Sequence, residues 1–258
     1  MWILYLTGFL AFVQLQQSAA FEVNSRIIGG QTVSVADYPY LVNLQRGNRM
    51  RCGGQLISPS CVLTAAHCLE GNLQVSNLFV HAQQQCLSDT SSPPHVRQAW
   101  YALLPPSYGR LGLDSDLAII KLRQPFDISS NASTIALDYN ELPADANLTV
   151  LGWGTTRRKC CNWNQCLHGT HVSLLKRFEC LDRLHHFSHF TDNMFCALGK
   201  KNRDVCLGDG GGPVVHAGRL VGVVSWDKGC GSGIPSVYTR ISSLEMTVFL
   251  KSRIATHC

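Results

Sequence analysis

Short hydrophobic runs separated by turn residues recur along most of the chain. Six runs have the length of a strand: residues 41–44, 78–80, 117–122, 148–153, 213–215 and 220–226. Many short apolar runs with turn residues between them are typical of a β-sandwich or β-barrel. The hydrophobic pattern therefore predicts an all-β fold.

The C-terminal segment has a helical pattern instead. Its apolar residues recur at helical spacing: Met246, Phe249, Leu250 and Ile254. Ser242 followed by Glu245 fits a capping box, the arrangement that begins many helices. We expect a helix over about residues 243–255.

The first 20 residues carry no charged side chain, and residues 2–13 are apolar except for Thr7 and Gly8. A polar run and then small residues follow, with the sequence Ser-Ala-Ala ending at Ala20. This order is typical of a secretory signal peptide that is removed after Ala20. The apolar stretch is too short to cross the roughly 30 Å hydrocarbon core of a membrane. We expect a secreted, extracellular protein without a membrane span.

Composition agrees with that compartment. The chain has 258 residues, of which 45% are hydrophobic and 15% charged, and its 12 cysteines favour an oxidising environment. The 22 basic and 17 acidic residues give a formal charge of +5 without a concentrated basic tract. We therefore expect no nucleic-acid partner.

The middle of the chain is the expected boundary between two halves. Residues 127–147 include two Asn-x-Ser/Thr sequences, at Asn131 and Asn147. In a secreted protein both are acceptors for N-linked glycans and should face solvent.

Three short motifs contain candidate catalytic residues. His67 lies beside a cysteine after an apolar run, Asp116 begins another apolar run, and residues 208–213 form a glycine-rich turn. Each motif alone is weak, because lone histidines and glycine runs are usually structural. In this order, however, they resemble the catalytic motifs of the chymotrypsin/trypsin family of serine proteases.

The resemblance covers residues 26–30 and continues to the C-terminal helix. Further family-like blocks follow in order: residues 52–54, 152–154, 194–197, 225–226 and 237–240. The family implies two packed six-stranded antiparallel β-barrels followed by a C-terminal α-helix. Barrel one would span about residues 27–135 and barrel two about 145–241.

Gly210 departs from the family pattern at the position of the nucleophile. Active relatives have Gly-Asp-Ser-Gly-Gly-Pro where this chain has Gly-Asp-Gly-Gly-Gly-Pro at residues 208–213. The resemblance makes His67 the general base and Asp116 its orienting partner, but this loop contains no Ser, Thr or Cys. Removing the nucleophile of such a triad lowers turnover about a million-fold. We therefore expect that the chain is not an enzyme.

The same resemblance predicts the other functional residues of an active-site cleft between the barrels. The backbone amides of Gly208 and Gly210 would form an oxyanion hole. Asp204 occupies the base of the specificity pocket, where trypsin-like relatives bind Arg or Lys. The pocket walls are assigned to three further residues: Ser225, Asp227 and Ser236. Side chains replace glycine at the last two of these positions and should narrow the pocket.

The resemblance also includes an activation site. Residues 21–26 would be a short pro-segment, and a trypsin-like enzyme would cut between Arg26 and Ile27. The freed amine of Ile27 would then pair with Asp209 and order the oxyanion loop.

Cysteine pairing is implied only in part. The family pattern pairs Cys52 with Cys68, Cys180 with Cys196, and Cys206 with Cys230. The six remaining cysteines allow 15 connectivities: Cys61, Cys86, Cys160, Cys161, Cys166 and Cys258. For these we expect a Cys61–Cys86 bridge in the first barrel, and a surface loop at 160–166 that is tied to Cys258.

No cofactor and no metal are expected. Several histidines lie between residues 168 and 189, but their spacing matches no strong ligand pattern: His168, His171, His185, His186 and His189. Exposed loop histidines are the favoured interpretation.

Three functions are compatible with these residues. The favoured one is a secreted, inactive protease homologue, a monomer that binds extracellular proteases, inhibitors or substrates as a cofactor, decoy or adaptor. Such homologues are familiar among insect immune and reproductive-fluid proteins. One alternative is a residual trypsin-like endopeptidase. The other is a glycan-binding module that uses the basic residues Arg157, Arg158, Lys159, Lys200, Lys201 and Arg203.

Overall fold

The computed structural model describes residues 30–47, 49–71, 74–89, 95–129, 132–154, 166–186, 189–199, 209–228 and 232–258. Within these ranges the strands are β1 Gln31–Thr32, β2 Leu41–Arg46, β3 Arg49–Ser58, β4 Cys61–Thr64, β5 Phe79–Ala82, β6 His95–Leu103, β7 Ala118–Leu122, β8 Asn147–Gly152, β9 His168–Leu174, β10 Met194–Gly199, β11 Pro213–His216, β12 Arg219–Trp226 and β13 Ser236–Arg240. The α-helices are α1 Arg177–Leu184 and α2 Leu244–His257. None of the described helices is long and apolar enough to cross a membrane.

Barrel one is closed by six antiparallel strands in the order β2-β3-β4-β7-β6-β5. The circle is completed where β5 pairs with β2, for example through Val80 and Leu44. Every residue of β4 is buried, because this strand reads as a short apolar run with strands on both sides. Closure leaves no unpaired strand edge on this barrel.

Barrel two is built from β8, β9, β10, β13, β12 and β11, and β8 pairs with both β9 and β11. The two-residue strand β1 is added at the edge of β9. Phe195 and Tyr238 face each other across β10 and β13, and their rings stack 5.2 Å apart. Cross-strand aromatic pairs of this kind stabilise the sheet face that they cover. The predicted two-barrel fold is confirmed.

The segment between the barrels is hydrogen-bonded to both of them. The Ile135 amide donates to Leu56 O in barrel one, and the Asp138 amide donates to Leu220 O in barrel two. Asn147 is exposed at the start of β8, and Asn131 lies outside the described residues.

Helix α2 begins one residue later than the sequence predicted. Ser243 is its N-cap, with its hydroxyl accepting a hydrogen bond from the Met246 amide at 3.3 Å. Ser242 instead donates its hydroxyl to Glu141, so the predicted Ser242–Glu245 capping box is wrong. The cap is at Ser243 because its backbone is extended while the next residue is already helical.

Helix α1 was not predicted from the sequence. It has only eight residues, of which Cys180 and Leu184 are buried. Two buried positions are too few to produce a recognisable helical period.

Four disulfides join described residues. Two have the partners that the family pattern implies, Cys52–Cys68 and Cys180–Cys196. The other two are Cys61–Cys258 and Cys86–Cys166. The expected Cys61–Cys86 bridge and the expected tie between the 160–166 loop and Cys258 are therefore wrong. Residues 160, 161, 206 and 230 lie outside the described residues.

The position in which α2 packs explains why Cys61 pairs with Cys258. Met246, Phe249 and Leu250 pack into the core of barrel one, which brings Cys258, the C-cap residue of α2, to the start of β4. The Cα atoms of Cys61 and Cys258 are then 5.7 Å apart, within the usual range for a disulfide.

Candidate functional site

His67 and Asp116 form a hydrogen-bonded pair on barrel one. His67 lies in a 3₁₀ turn, Ala66–Leu69, that follows β4, and Asp116 lies two residues before β7. The imidazole Nδ1 is 2.8 Å from Asp116 Oδ2, and the His67 backbone amide donates to Oδ1 at 2.9 Å. Both carboxylate oxygens therefore hold the histidine, one through its ring and one through its backbone.

Two side chains of barrel two donate hydrogen bonds to Asp116. The Ser225 hydroxyl on β12 donates to Asp116 Oδ2 at 2.5 Å, and the Thr239 hydroxyl on β13 donates to the Asp116 carbonyl at 2.7 Å. The sequence assigned Ser225 to the specificity pocket and did not identify either contact. Because strands of one barrel bind a residue of the other, this geometry depends on how the two barrels pack.

The charge of Asp116 changes the titration of His67. Burial alone lowers the pKa of the imidazole, but the hydrogen bond and negative charge of Asp116, with a smaller contribution from Glu70, outweigh it. The net effect is a pKa above the ordinary histidine value of 6.5. The ring is 27% exposed, so its proton can exchange with solvent.

Gly210 lies directly beside the free side of the imidazole. A Cβ atom placed on Gly210 would be 2.7 Å from His67 Nε2, closer than Cβ atoms approach other atoms, and 3.1 Å from Cε1, which is a tight contact. The Gly53 amide donates to the Gly210 carbonyl at 2.9 Å and fixes the turn. The imidazole thus lies in the space that a side chain at position 210 would need.

Asp209 is fully buried, and two glycines make room for it. Its Oδ1 accepts a hydrogen bond from the Gly154 amide at 2.8 Å. A Cβ atom on Gly152 would lie only 2.0 Å from the same oxygen, and one on Gly154 would lie 2.6 Å from it. The glycines on both sides of Trp153 are therefore explained by the space that the Asp209 carboxylate occupies.

The two pocket-wall residues that replace glycine differ in exposure. Asp227 follows β12 and is partly exposed, whereas Ser236 is buried at the start of β13, opposite Ala197. The remaining assigned residues lie outside the described parts of the chain: Arg26, Ile27, Asp204 and Gly208. The basic residues of the glycan-binding alternative also lie outside them.

One group of metal-ligand types occurs near this site. Cys52 Sγ, Cys68 Sγ and a His67 ring nitrogen lie within 4.8 Å of one another. The two sulfurs are bonded to each other, so they offer no thiolate to a metal. The expectation of exposed loop histidines is wrong for His168, which is buried in β9 beside Thr32. His171 also lies in β9 rather than in a loop, and its exposed ring is beside Thr149.

Comparisons with known proteins agree on the family and on the fold. The family model described as Trypsin matches residues 27–248. Trypsin from Xenopus laevis is 32% identical over 251 residues, covering 95% of this chain and 97% of that protein. Trypsin from Phaedon cochleariae is 33% identical over 226 residues, covering 85% and 86%. The structure of neuropsin, a serine protease expressed in the limbic system of mouse brain, matches with a TM-score of 0.78 and 26% identity. That match covers 87% of this chain and 98% of neuropsin.

Proposed function

Because the chain belongs to the trypsin family and has glycine where that family's pattern places its nucleophile, we propose that it is a secreted, non-catalytic homologue that acts by binding other extracellular proteins. Peptide-bond cleavage by this fold proceeds through a covalent acyl-enzyme, which requires an oxygen or sulfur nucleophile beside the histidine. Gly210 offers neither.

The position of the His67 ring is the observation that carries this proposal. With 2.7 Å between Nε2 and a Cβ built on Gly210, the imidazole fills space that a nucleophilic side chain would occupy. The two carboxylate contacts of Asp116 hold the histidine in that position. This arrangement favours a binding protein over an enzyme that has exchanged one nucleophile for another.

Secretion and extracellular partners belong to the same proposal. The apolar first 20 residues, the two glycosylation sequences and the disulfides support an oxidising, extracellular location. A rigid two-barrel domain that cannot turn over a bound protein is suited to act as a cofactor, adaptor or decoy for proteases and their inhibitors.

The test compares the purified, processed protein with its His67→Ala variant. We expect neither to react with a fluorophosphonate probe, and we expect both to show the same background rate on Arg and Lys peptide substrates. An active trypsin assayed in parallel shows that the probe and substrates work. Stoichiometric labelling of the chain, or a rate that His67→Ala abolishes, would overturn the proposal.

A second candidate, a residual trypsin-like endopeptidase, is favoured by one observation. The 2.8 Å contact between His67 and Asp116 is the hydrogen bond that a general base and its orienting carboxylate need. Without a nucleophile, the oxyanion hole and substrate binding accelerate hydrolysis only about a thousand- to ten-thousand-fold over the uncatalysed reaction in water. The same comparison with His67→Ala decides between the two functions.

A further inference from the structure

A groove of about 1000 Å³ lies away from His67 and Gly210, where the start of helix α2 meets the loop before Asp116. Its lining includes residues from that loop, from the segment before β10 and from the helix, but not His67, Gly210 or Ser225. This volume is at the upper end of the range for ligand-binding clefts in proteins.

The helix side of the groove is apolar and uncovered. Leu244 is 82% exposed and Val248 is 60% exposed, and the two residues are one helical turn apart on the same face of α2. Leu111 from the loop before Asp116 adds a third exposed apolar side chain to the lining. Apolar side chains gathered around one concave surface mark sites where other molecules bind.

The groove also contains two carboxylates that share one donor group. Asp114 is only 7% exposed, and Glu245 lies in the first turn of α2. The Asn193 side-chain nitrogen is 2.9 Å from Glu245 Oε2, 3.3 Å from Asp114 Oδ1, 3.5 Å from Asp114 Oδ2 and 3.1 Å from Ser115 Oγ. An amide nitrogen carries two hydrogens, so it cannot satisfy four acceptors at once. The Thr191 hydroxyl also donates to Asp114 Oδ1. Among the described residues, acceptor capacity therefore remains on Asp114 Oδ2, which has only the 3.5 Å contact, and on Glu245 Oε1.

No cation among the described residues neutralises these two carboxylates. Three arginines line the groove: Arg177 pairs with Asp192 at 2.9 Å, Arg240 pairs with Glu141 at 2.7 Å, and Arg253 lies about two helical turns along α2 from Glu245. Neither Asp114 nor Glu245 forms an ion pair within the described ranges. Because Asp114 is almost fully enclosed, its charge attracts a donor cation more strongly than a carboxylate on the open surface would.

We propose that this groove binds a segment of a partner protein that inserts an Arg or Lys side chain toward Asp114 and Glu245. Apolar residues next to that basic side chain would pack on Leu244 and Val248. An Arg guanidinium supplies five donors in a fork that matches carboxylate oxygens, so it complements the acceptor surplus. The inference rests on the proposed binding function and gives it a second surface, separate from the cleft of His67.

A peptide fits this groove because it can supply a cation and apolar side chains at a fixed spacing. The carboxylates require a cation, and the exposed helix face requires apolar area beside it. A free inorganic cation or a small amine would satisfy the first and leave the second uncovered.

The experiment measures binding of a fluorescently labelled acetyl-Leu-Arg-Leu amide by fluorescence anisotropy, with acetyl-Leu-Gln-Leu amide as the matched neutral peptide. We expect the Arg peptide to bind and the Gln peptide to bind about tenfold or more weakly. Asp114→Asn should weaken Arg-peptide binding about tenfold or more, since the Asp114 carboxylate is almost fully enclosed, and Glu245→Gln should weaken it by a smaller factor, since Glu245 is exposed. Val248→Asn should also weaken it, since it removes apolar area without adding charge, and because Val248 is exposed this variant leaves the core intact.

The matched control is Asp127→Asn, which removes the same charge from a residue remote from the groove that is 95% exposed. It should bind like the unmodified protein. Thermal unfolding of every variant checks that it is folded. If Asp114→Asn does not fold, the neutral variant Val248→Asn still tests the proposal.

Three results would overturn the inference. The first is no binding of the Arg peptide at millimolar concentration, and the second is binding that the three groove variants leave unchanged. The third is binding that Asp204→Asn abolishes, which would place the peptide in the expected specificity pocket. Self-association of the chain that Asp114→Asn abolishes would assign the groove to a second copy instead. If the groove variants lose binding while His67→Ala abolishes a real hydrolytic rate, the groove is correct and the proposed non-catalytic function fails.

Discussion

Gly210 determines the chemistry of this site through the atoms that it lacks. The missing Cβ lets the His67 imidazole approach the backbone of the glycine-rich turn, and the missing hydroxyl leaves that imidazole without a proton to accept. Asp116 nevertheless keeps its hydrogen bonds to His67, so the histidine remains oriented and titratable. At the residue scale, a hydrogen-bonded His–Asp pair is present, and the position beside the imidazole carries no side chain.

We predict that the titration of His67 depends on Asp116. In the unmodified protein its pKa lies above 6.5, and in Asp116→Asn it should fall below that value because burial then dominates. A raised pKa stabilises the fold at low pH: the contribution is complete below pH 6.5 and is lost as pH rises through the folded-state pKa. The measurement is an NMR titration of the His67 ring protons in both proteins, together with thermal unfolding across the same pH range.

An unchanged His67 pKa in Asp116→Asn would contradict this account of the pair. The conservative variant Ser225→Ala removes one donor to Asp116 but no charge, and it serves as the control for loss of a hydrogen bond alone.

We predict that Gly210→Ser restores only weak hydrolysis, and only after cleavage at Arg26. The new Cβ requires His67 to move, and a misplacement of about 1 Å can lower a rate on the order of a hundred-fold. Adding Asp227→Gly and Ser236→Gly should recover more activity, because both changes widen the expected pocket. Turnover on an Arg ester and an Arg peptide is compared for the single and triple variants.

His67→Ala in the Gly210→Ser background is the control and should abolish whatever activity appears. Full trypsin-like turnover by Gly210→Ser alone would show that the pocket walls and the histidine position are no obstacle. A folded, cleaved triple variant without activity would show that His67 and Asp116 serve only as scaffold.

At the scale of elements, helix α2 is held at both ends. Ser243 caps its first turn, and the Cys61–Cys258 disulfide joins its C-cap residue to β4. Between these points Met246, Phe249 and Leu250 bury its inner face in barrel one, while Leu244 and Val248 remain uncovered. The helix is thus a fixed support for the wall of the proposed peptide groove.

We predict that the Cys61→Ser/Cys258→Ser variant loses about 2–5 kcal/mol of unfolding free energy. This disulfide spans 197 residues, and a cross-link that closes a long loop removes more entropy from the unfolded chain than one that closes a short loop. The Cys180→Ser/Cys196→Ser variant, whose disulfide spans 16 residues, is the matched comparison and should lose less. Urea unfolding measures both.

An equal or larger loss for the short loop would contradict the entropic explanation. Hydrogen exchange should also show faster opening of the last turn of α2 in the Cys61→Ser/Cys258→Ser variant.

At the scale of the whole molecule, the site exists only where the two barrels meet. Asp116 belongs to barrel one, but its side chain and carbonyl accept hydrogen bonds from Ser225 and Thr239 of barrel two. The Cys86–Cys166 disulfide links the same two halves covalently. A change in barrel packing would therefore move Asp116 and, through its hydrogen bonds, the His67 imidazole.

We predict that trace trypsin cuts between Arg26 and Ile27 and leaves a resistant core from Ile27 to Cys258. The freed amine should pair with Asp209, whose carboxylate lies buried beside Gly154, and thereby raise the melting temperature. N-terminal sequencing identifies the cut, and thermal unfolding before and after cleavage measures the gain.

Asp209→Asn is the control, because it keeps an oxygen for the Gly154 amide but removes the charge. It should be cut at the same bond without the gain in melting temperature. A resistant Arg26 with cleavage elsewhere, or an equal gain in Asp209→Asn, would remove the support for this activation step.

The sequence by itself determined the family, the two-barrel fold and the chemical character of position 210. These follow from the order of local motifs and from which side chain a position carries, and neither depends on long-range packing. The glycines of residues 152–154 were also recognisable as a motif, although their reason, room for Asp209, was not.

Only the tertiary structure decided which distant residues meet. The partners of Cys61 and Cys86, the hydroxyl of Ser225 on Asp116, and the joining of Asp114 and Glu245 through Asn193 all link positions far apart in the chain. A hydrophobic period reports the face on which a residue lies within its own strand or helix, but not which strand or helix it will contact. Those contacts are set when α2 and the second barrel pack against the first, because that packing alone brings these side chains within bonding distance.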